Sequence, residues 1–186
     1  MILSSGALAP LLMLVAAGAD MPEASPFADM PNVRFEYYDV EGRTAAEIYR
    51  SMRARAPRKG DGVAYTAWHI RVGWQQTRRG GRCEIADPMA SLSITVILPR
   101  LATSEGLTPE AAAFWERTRR GLEIHEAGHA RIAIEHRSDF LKAAEKADCG
   151  SIDRIARDTQ ARIERIQEEY DRRTRHGITQ ISPTEE

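Results

Sequence analysis

The stretch that decides the fold spans residues 108–136 and reads TPEAAAFWERTRRGLEIHEAGHARIAIEH. Thr108, Pro109 and Glu110 supply a capping side chain, a proline at the first helical position and an acid in the first turn, which together are typical of a helix start. No further proline occurs before Pro183. The pattern therefore predicts one long helix that runs to about Ala147.

A second helix follows after a short break at residues 148–151 (DCGS). Apolar residues recur there at helical spacing, and the helix is expected to end near Gly177. These apolar residues are Ile152, Ile155, Ile163, Ile166 and Tyr170. Because the connection is short, the two helices are predicted to form an antiparallel hairpin. Acids followed four residues later by arginines indicate that its outer face is solvated.

The N-terminal half has the alternating apolar and polar pattern of strands. The predicted strands cover residues 33–37, 64–75, a short segment after Cys83, and 92–98. A capping box at residues 44–47 predicts a helix to about Arg55, and residues 79–82 supply a hairpin turn. The expected fold class is α+β, in which an antiparallel β-sheet, a meander, packs on the long two-helix hairpin.

The first helix carries an H-E-x-x-H motif, His125-Glu126-Ala127-Gly128-His129. Histidines four residues apart are separated by only about 40° around a helix, so both imidazoles can bind one zinc ion. Glu126 follows the first ligand and can take a proton from the metal-bound water as a general base. Zinc lowers the pKa of that water towards about 7 and polarises the carbonyl under attack. The motif predicts a catalytic zinc site.

A catalytic zinc site needs a third protein ligand and an open fourth position. In an antiparallel hairpin, the end of the second helix lies level with the motif. His176 then sits about one turn past His125, where Gly177 lets the chain curl back. We predict His176 as the third ligand, with Asp171 and Glu169 as rivals in the same zone.

Tyr170, His136 and His69 are further candidates for a role in the site. Tyr170 continues the apolar face of the second helix, and we predict its hydroxyl as a group that stabilises an oxyanion or supports a ligand, with plain packing as the alternative. His136 lies about 10 Å beyond His129 along the helix, and no glycine turns the chain between them. His136 is therefore predicted as a surface histidine. His69 lies on the polar face of its strand, opposite the tryptophans, and is also predicted to be exposed.

The composition excludes several classes of protein. The chain has 186 residues, a formal net charge of −1 and 42% hydrophobic residues, which is typical of one globular domain. It lacks the basic surplus that nucleic-acid-binding proteins usually carry, so no nucleic-acid partner is expected. A disordered chain would have less apolar content and a larger net charge.

The first 19 residues contain no charged side chain, whereas the rest of the chain is strongly polar. An apolar stretch that ends in Ala17-Gly18-Ala19 predicts a cleaved signal peptide over residues 1–19, and it is too short to span a bilayer. The mature protein is expected to be secreted or periplasmic, with no stable membrane span. We predict a flexible leader over 20–31, a single domain over 32–180 and a tail over 181–186.

Cys83 and Cys149 are the two cysteines of the chain. A cysteine pair in an exported protein tends to form a disulfide, and this spacing is unlike the paired CxxC motifs of structural zinc sites. We predict a disulfide between them, worth about 3 to 4 kcal/mol because it closes a long loop.

Taken together, these residues resemble the bacterial predicted secreted zinc-dependent proteases, a family described as a domain of unknown function. The resemblance covers most of the mature chain and rests on residues 37–42, 65–71, 97–100, 125–129 and 170–177. Its specific part is the pairing of H-E-x-x-H with Thr174-x-His176-Gly177. The resemblance implies a zincin-like fold, a zinc cofactor and metallopeptidase activity. His69 departs from the acidic residue typical of the family on that strand.

Two functions from different classes remain. The first is a secreted or periplasmic zinc metallopeptidase that hydrolyses peptide bonds, with His125, His129 and His176 on the metal and Glu126 as the base. Its peptide substrate could add as a strand to an edge of the sheet. The alternative is a non-catalytic domain of the cell envelope in which zinc clamps the helical hairpin. Structural zinc sites usually have four protein ligands, and the sequence offers only three convincing ones, which favours the enzyme.

Overall fold

The structure is a computed structural model that describes residues 25–30, 32–57 and 62–181. It is a mixed α+β arrangement, as predicted. The elements are β1 (Val33–Val40), α1 (Ala45–Arg55), β2 (Tyr65–Arg79), β3 (Arg82–Leu101), α2 (Pro109–His136), α3 (Asp139–Ala144), α4 (Ile152–Thr174) and α5 (Ile178–Ile181). The predicted signal peptide, half of the predicted leader (residues 20–24 and 31) and the tail after residue 181 lie outside the described residues. No helix within the described ranges is long and apolar enough to cross a membrane.

The three strands form one sheet in the order β1-β3-β2. β2 and β3 are an antiparallel hairpin, whereas β1 pairs with β3 in parallel, from Val33 opposite Ile94 to Val40 opposite Leu101. The predicted antiparallel meander is therefore wrong for β1. Residues 94–99 of β3 form an almost continuous apolar run in which all but Thr95 are buried. Such a run is typical of a central strand, whereas the sequence prediction used only its alternate residues.

β3 is one strand of 20 residues, and the prediction of two separate strands in this region is wrong. Asp87 has a φ of 48°, and the register between the hairpin strands shifts at Gly73 and Gln75. This bulge takes up the extra residue at Asp87-Pro88, so the ladder resumes at Met89 instead of ending at the proline.

α2 begins at Pro109, after the Thr108 cap, but ends at His136, so the prediction that it reaches Ala147 is wrong. A two-residue turn at residues 137–138 separates α2 from the short helix α3. Phe140 of α3 is fully buried and packs against Trp74 of β2 with ring centroids 5.8 Å apart. Burial of this large aromatic side chain stabilises α3 against the sheet.

The core between the sheet and α2 fixes the position of the motif. Ile94, Val96 and Leu98 of β3 pack against Leu122 and against small residues of α2. These small residues are Ala127, Ala130 and Ala133, all fully buried. Their short side chains let the helix lie close to the sheet, so the H-E-x-x-H residues are held between the sheet and α4.

The disulfide prediction is confirmed: Cys83 and Cys149 are bonded, with Cα atoms 5.8 Å apart. The bond joins the tip of the β2–β3 hairpin to the turn between α3 and α4. An isolated bridge between Glu84 and Asp148 lies beside it. The tip of the helical pair is thus fastened to the sheet.

Candidate metal centre

Three side chains from two facing helices converge on one point. His125 and His129 project from α2, and Asp171 projects from α4. The two histidine Nε2 atoms are 3.3 Å apart, and Asp171 Oδ1 lies 3.2 Å from His125 Nε2 and 3.0 Å from His129 Nε2. Among the described residues, these three form a group that could hold a metal ion.

The structure places the predicted third ligand beside this group. His176 follows the end of α4, its side chain is 76% exposed, and its Nδ1 atom lies 3.7 Å from Asp171 Oδ1. Asp171, a rival in the sequence prediction, occupies the third corner of the group. Glu169 is exposed and pairs with Arg172. The geometry favours Asp171, and His176 as a ligand stays a prediction.

Each histidine of the group has a partner on its other ring nitrogen. His129 Nδ1 lies 2.6 Å from Gln167 Oε1, and His125 Nδ1 lies 3.0 Å from Gln180 Oε1. Thr174 Oγ1 is a further neighbour of His125 Nδ1, at 3.4 Å. Burial lowers the pKa of His125, and His129 acts in the same direction. Sequence reasoning missed both glutamines.

Glu126, the predicted general base, is buried against the sheet with 3% of its surface exposed. Thr66 of β2 donates a hydrogen bond from Oγ1 to Glu126 Oε2 at 2.7 Å. Burial raises the pKa of Glu126 to about 7, while Thr66 and His129 act in the opposite direction. A carboxyl group with this pKa can exchange a proton near neutral pH. Thr66 was not predicted as part of the site.

The raised pKa of Glu126 predicts a pH-dependent stability for the metal-free protein. Below about pH 4.5 the carboxyl is protonated in both the folded and the unfolded chain, so its burial costs no ionisation energy and the free energy of unfolding is highest. As the pH rises from there through about 7, the unfolded chain ionises more readily than the folded one, and the free energy of unfolding falls. We therefore expect Glu126→Gln to stabilise the metal-free protein by up to about 3 kcal/mol at pH 8 and by little at pH 4. Urea unfolding in the presence of a chelator measures this difference. An equal effect at both pH values would contradict the prediction.

Tyr170 packs against both histidines of the group. Its ring stacks on His125 with centroids 5.2 Å apart and meets the edge of His129 at 4.9 Å. Its hydroxyl donates to the His125 carbonyl at 3.2 Å and accepts from Gln180 Nε2 at 2.8 Å. Burial raises its pKa. These contacts favour packing and support of the ligands, and a catalytic role for Tyr170 stays a prediction.

Gly128, inside the motif, makes the close approach of α4 possible. A Cβ atom at this position would lie 2.0 Å from the Tyr170 hydroxyl oxygen and 2.3 Å from Cζ. We expect Gly128→Ala to destabilise the protein by about 3 kcal/mol, since the overlap outweighs the gain in helix propensity. Thermal unfolding should show a fall of roughly 5 to 10 °C.

The matched control for this variant is Gly150→Ala. A Cβ atom there meets only Asp148 Oδ1, at the ordinary contact distance of 3.6 Å. Its stability should change by less than about 0.5 kcal/mol. If Gly128→Ala changed the stability as little as Gly150→Ala, the close contact between Gly128 and Tyr170 would be contradicted.

The other two histidines lie away from the group. His69 is exposed on the open face of the sheet, as predicted. His136, predicted at the surface, is half-buried at the end of α2, where its Nδ1 pairs with Asp139 at 2.8 Å. A cavity of about 630 Å³ lies between the end of β3 and the first half of α2, with Leu98, Trp115 and Leu122 in its wall. None of the three residues of the metal group lines it.

Comparison with known protein families identifies the family of this chain. Residues 35–177 match the family model described as "Bacterial protein of unknown function (DUF922)". The match includes the whole metal group, Glu126 and both cysteines. No curated protein and no solved structure matches the chain.

Proposed function

We propose that this chain, which belongs to the DUF922 family of bacterial proteins of unknown function, is a zinc-dependent metallopeptidase that hydrolyses peptide bonds. The observation that carries the proposal is the meeting of His125, His129 and Asp171 within 3.3 Å. The buried carboxyl of Glu126 interacts electrostatically with His129 and Asp171 of this group. The combination of an ion-binding group and a titratable buried acid is typical of a catalytic site.

The donor set and its spacing fit zinc. Two nitrogens and one carboxylate oxygen are ligands that zinc prefers in catalytic sites. Two ligand atoms that each lie about 2.0 to 2.1 Å from a tetrahedral zinc ion are about 3.3 Å apart. The three separations here are 3.0, 3.2 and 3.3 Å. Three protein ligands leave a fourth position for water or substrate, which distinguishes a catalytic from a structural site.

In the proposed reaction, different residues of this chain bind the ion, transfer the proton and position the base. His125, His129 and Asp171 would hold the ion. Bound zinc polarises a substrate carbonyl and makes water acidic enough to attack it at neutral pH. Glu126 would accept the proton of that water on its carboxylate and return it to the leaving amine. Thr66 holds Glu126 Oε2 by its hydroxyl and so fixes the carboxylate that must receive the proton.

The sheet supports an extended peptide as the substrate. β2 pairs only with β3 in the sheet order, so its other edge has free backbone groups within the described sheet. Thr66, which binds Glu126, lies on this same strand. A peptide that adds as a strand to that edge would run past the carboxyl of Glu126.

The disulfide supports export as the setting of this activity. Disulfides persist in oxidising compartments such as the periplasm or the medium. The predicted signal peptide over residues 1–19 would direct the chain there.

Zinc stoichiometry and peptide hydrolysis test the proposal together. The purified full chain is expected to contain about one zinc per molecule and to cleave members of a broad peptide library. Chelation should abolish cleavage, and added zinc should restore it. A protein without stoichiometric metal would refute the metal site. Stoichiometric zinc with unfolding on chelation, but without cleavage, would instead favour the zinc-clamped hairpin, since the ligands come from two facing helices.

A further inference from the structure

We propose that Gln167 and Gln180 are positioning residues that hold His129 and His125 in the Nδ1–H tautomer, so that both Nε2 lone pairs face Asp171. The proposal rests on the metal site proposed above and goes beyond it, because it identifies residues outside the ligand set that make the site ready for an ion. The tautomer of a histidine is set by the partner of its other ring nitrogen.

The contact between Gln167 and His129 determines the first tautomer. Gln167 is 7% exposed, and its Nε2 donates to the backbone carbonyl of His129 at 3.1 Å. A carbonyl oxygen can only accept, so the amide nitrogen of Gln167 must face it. The amide oxygen, Oε1, therefore faces His129 Nδ1 at 2.6 Å. Since Oε1 also only accepts, the proton must be on Nδ1.

A longer chain of hydrogen bonds determines the second tautomer. The Tyr170 hydroxyl donates its hydrogen to the His125 carbonyl at 3.2 Å. Its oxygen can then only accept from Gln180, whose Nε2 lies 2.8 Å away. Gln180 Oε1 therefore faces His125 Nδ1 at 3.0 Å and must accept a proton from it. Both assignments begin at backbone carbonyls of the motif helix itself.

Three atoms with lone pairs then meet without a hydrogen between them. In the neutral Nδ1–H tautomer, neither Nε2 can donate to the other or to Asp171 Oδ1. Their separations of 3.0 to 3.3 Å are repulsive unless a cation lies among them. The two glutamines thus prepare a site for a cation.

The turn after α4 explains how Gln180 reaches His125. Arg175, His176 and Gly177 all have positive φ values, of 50°, 52° and 85°. Two non-glycine residues in this region are costly, and such strain is typical of functional sites. The turn returns the chain to α2, and a Cβ atom at Gly177 would lie 3.1 Å from His125 Cγ. The Thr174-x-His176-Gly177 motif thereby places Gln180.

Nitrogen NMR of ¹⁵N-histidine-labelled, metal-free full-length protein tests the proposal, at a pH well above the ordinary pKa of histidine. The chemical shifts of the ring nitrogens and their couplings to ring hydrogens distinguish the two tautomers. We expect Nδ1–H at both His125 and His129, although free histidine prefers Nε2–H in water. Nε2–H at either residue in the wild type overturns the proposal, whatever the protein hydrolyses. Nδ1–H at both supports it, even if no peptide is cleaved.

Two leucine variants separate the two contacts. Gln167→Leu should shift only His129 towards Nε2–H, and Gln180→Leu should shift only His125, each with a zinc affinity about 10-fold to 100-fold lower. Gln167→Glu keeps an acceptor for His129 Nδ1, so His129 should retain the Nδ1–H tautomer in this variant. This should hold even if Gln167→Glu destabilises the protein as much as Gln167→Leu does. Unchanged tautomers in both leucine variants overturn the proposal.

The matched control is Gln160→Leu. Gln160 lies on the same helix, two turns before Gln167, and donates to Glu164. Its loss should leave both tautomers and the zinc affinity unchanged. A tautomer shift in this control would overturn the specific role of the other two glutamines.

Discussion

Replacing Glu126 by glutamine is expected to lower peptide hydrolysis by about 100-fold to 10,000-fold, the range for loss of a general base. Glutamine keeps the shape of the side chain and can still accept the hydrogen bond from Thr66, but it cannot take up a proton. Because the carboxyl is not one of the three atoms of the metal group, the zinc content should not change. Rates of peptide cleavage and zinc stoichiometry are measured on the same preparation.

The control for this variant is Glu135→Gln, on the exposed side of the same helix. It removes one negative charge from α2 without reaching the buried site, so cleavage should remain within about twofold of wild type. Equal cleavage by Glu126→Gln and wild type would exclude Glu126 as the base. Loss of zinc from Glu126→Gln would show instead that the carboxyl is a ligand.

Replacing Asp171 by alanine is expected to weaken zinc binding by at least about 100-fold. Structural zinc sites bind with about 10 to 16 kcal/mol, and loss of one of three protein ligands removes about 3 kcal/mol or more of such an energy. His176→Ala should weaken binding by less than about tenfold, because the exposed side chain stands beside the group. Competition with a coloured chelator gives both affinities.

These two variants also decide between the geometric and the sequence-based choice of the third ligand. If His176→Ala lost zinc and Asp171→Ala kept it, the sequence prediction of His176 would be right. Glu168→Ala, which removes an exposed acid from the same helix, is the control for a general loss of negative charge. It should leave the affinity unchanged.

Local signals in the sequence predicted much of the fold. The caps at Thr44 and Thr108 are formed by neighbouring residues, and both helices begin where predicted. The motif histidines depend only on helical spacing. The disulfide was predictable because only two cysteines are present.

The features that were missed depend on contacts between distant segments. An alternating pattern shows which face of a strand is buried but does not identify its partner, so the parallel pairing of β1 with β3 was hidden. After the interruption at residues 137–138, α3 packs on the sheet through Phe140, which contacts Trp74, 66 residues earlier. Local sequence propensity does not predict the pairing of β1 or the packing of Phe140.

The sequence predicted the H-E-x-x-H residues of the candidate site, but it did not single out the residues that surround them. Asp171 was only one of three candidates, because spacing along a helix cannot resolve neighbours in an adjacent helix. Gln167 did leave a signal, since a glutamine lies one turn from Tyr170 on the face that otherwise carries isoleucines. Gln180 left none, because its position depends on three consecutive left-handed residues.

The disulfide closes a covalent ring of chain that contains the H-E-x-x-H motif. His125, Glu126 and His129 lie inside the ring of chain closed by Cys83 and Cys149, whereas Asp171 lies outside it, 22 residues further on. A single peptide-bond cut anywhere between the two cysteines therefore opens the ring without releasing a fragment. In a compartment that contains other proteases, a nicked molecule still carries both halves of its ion-binding group.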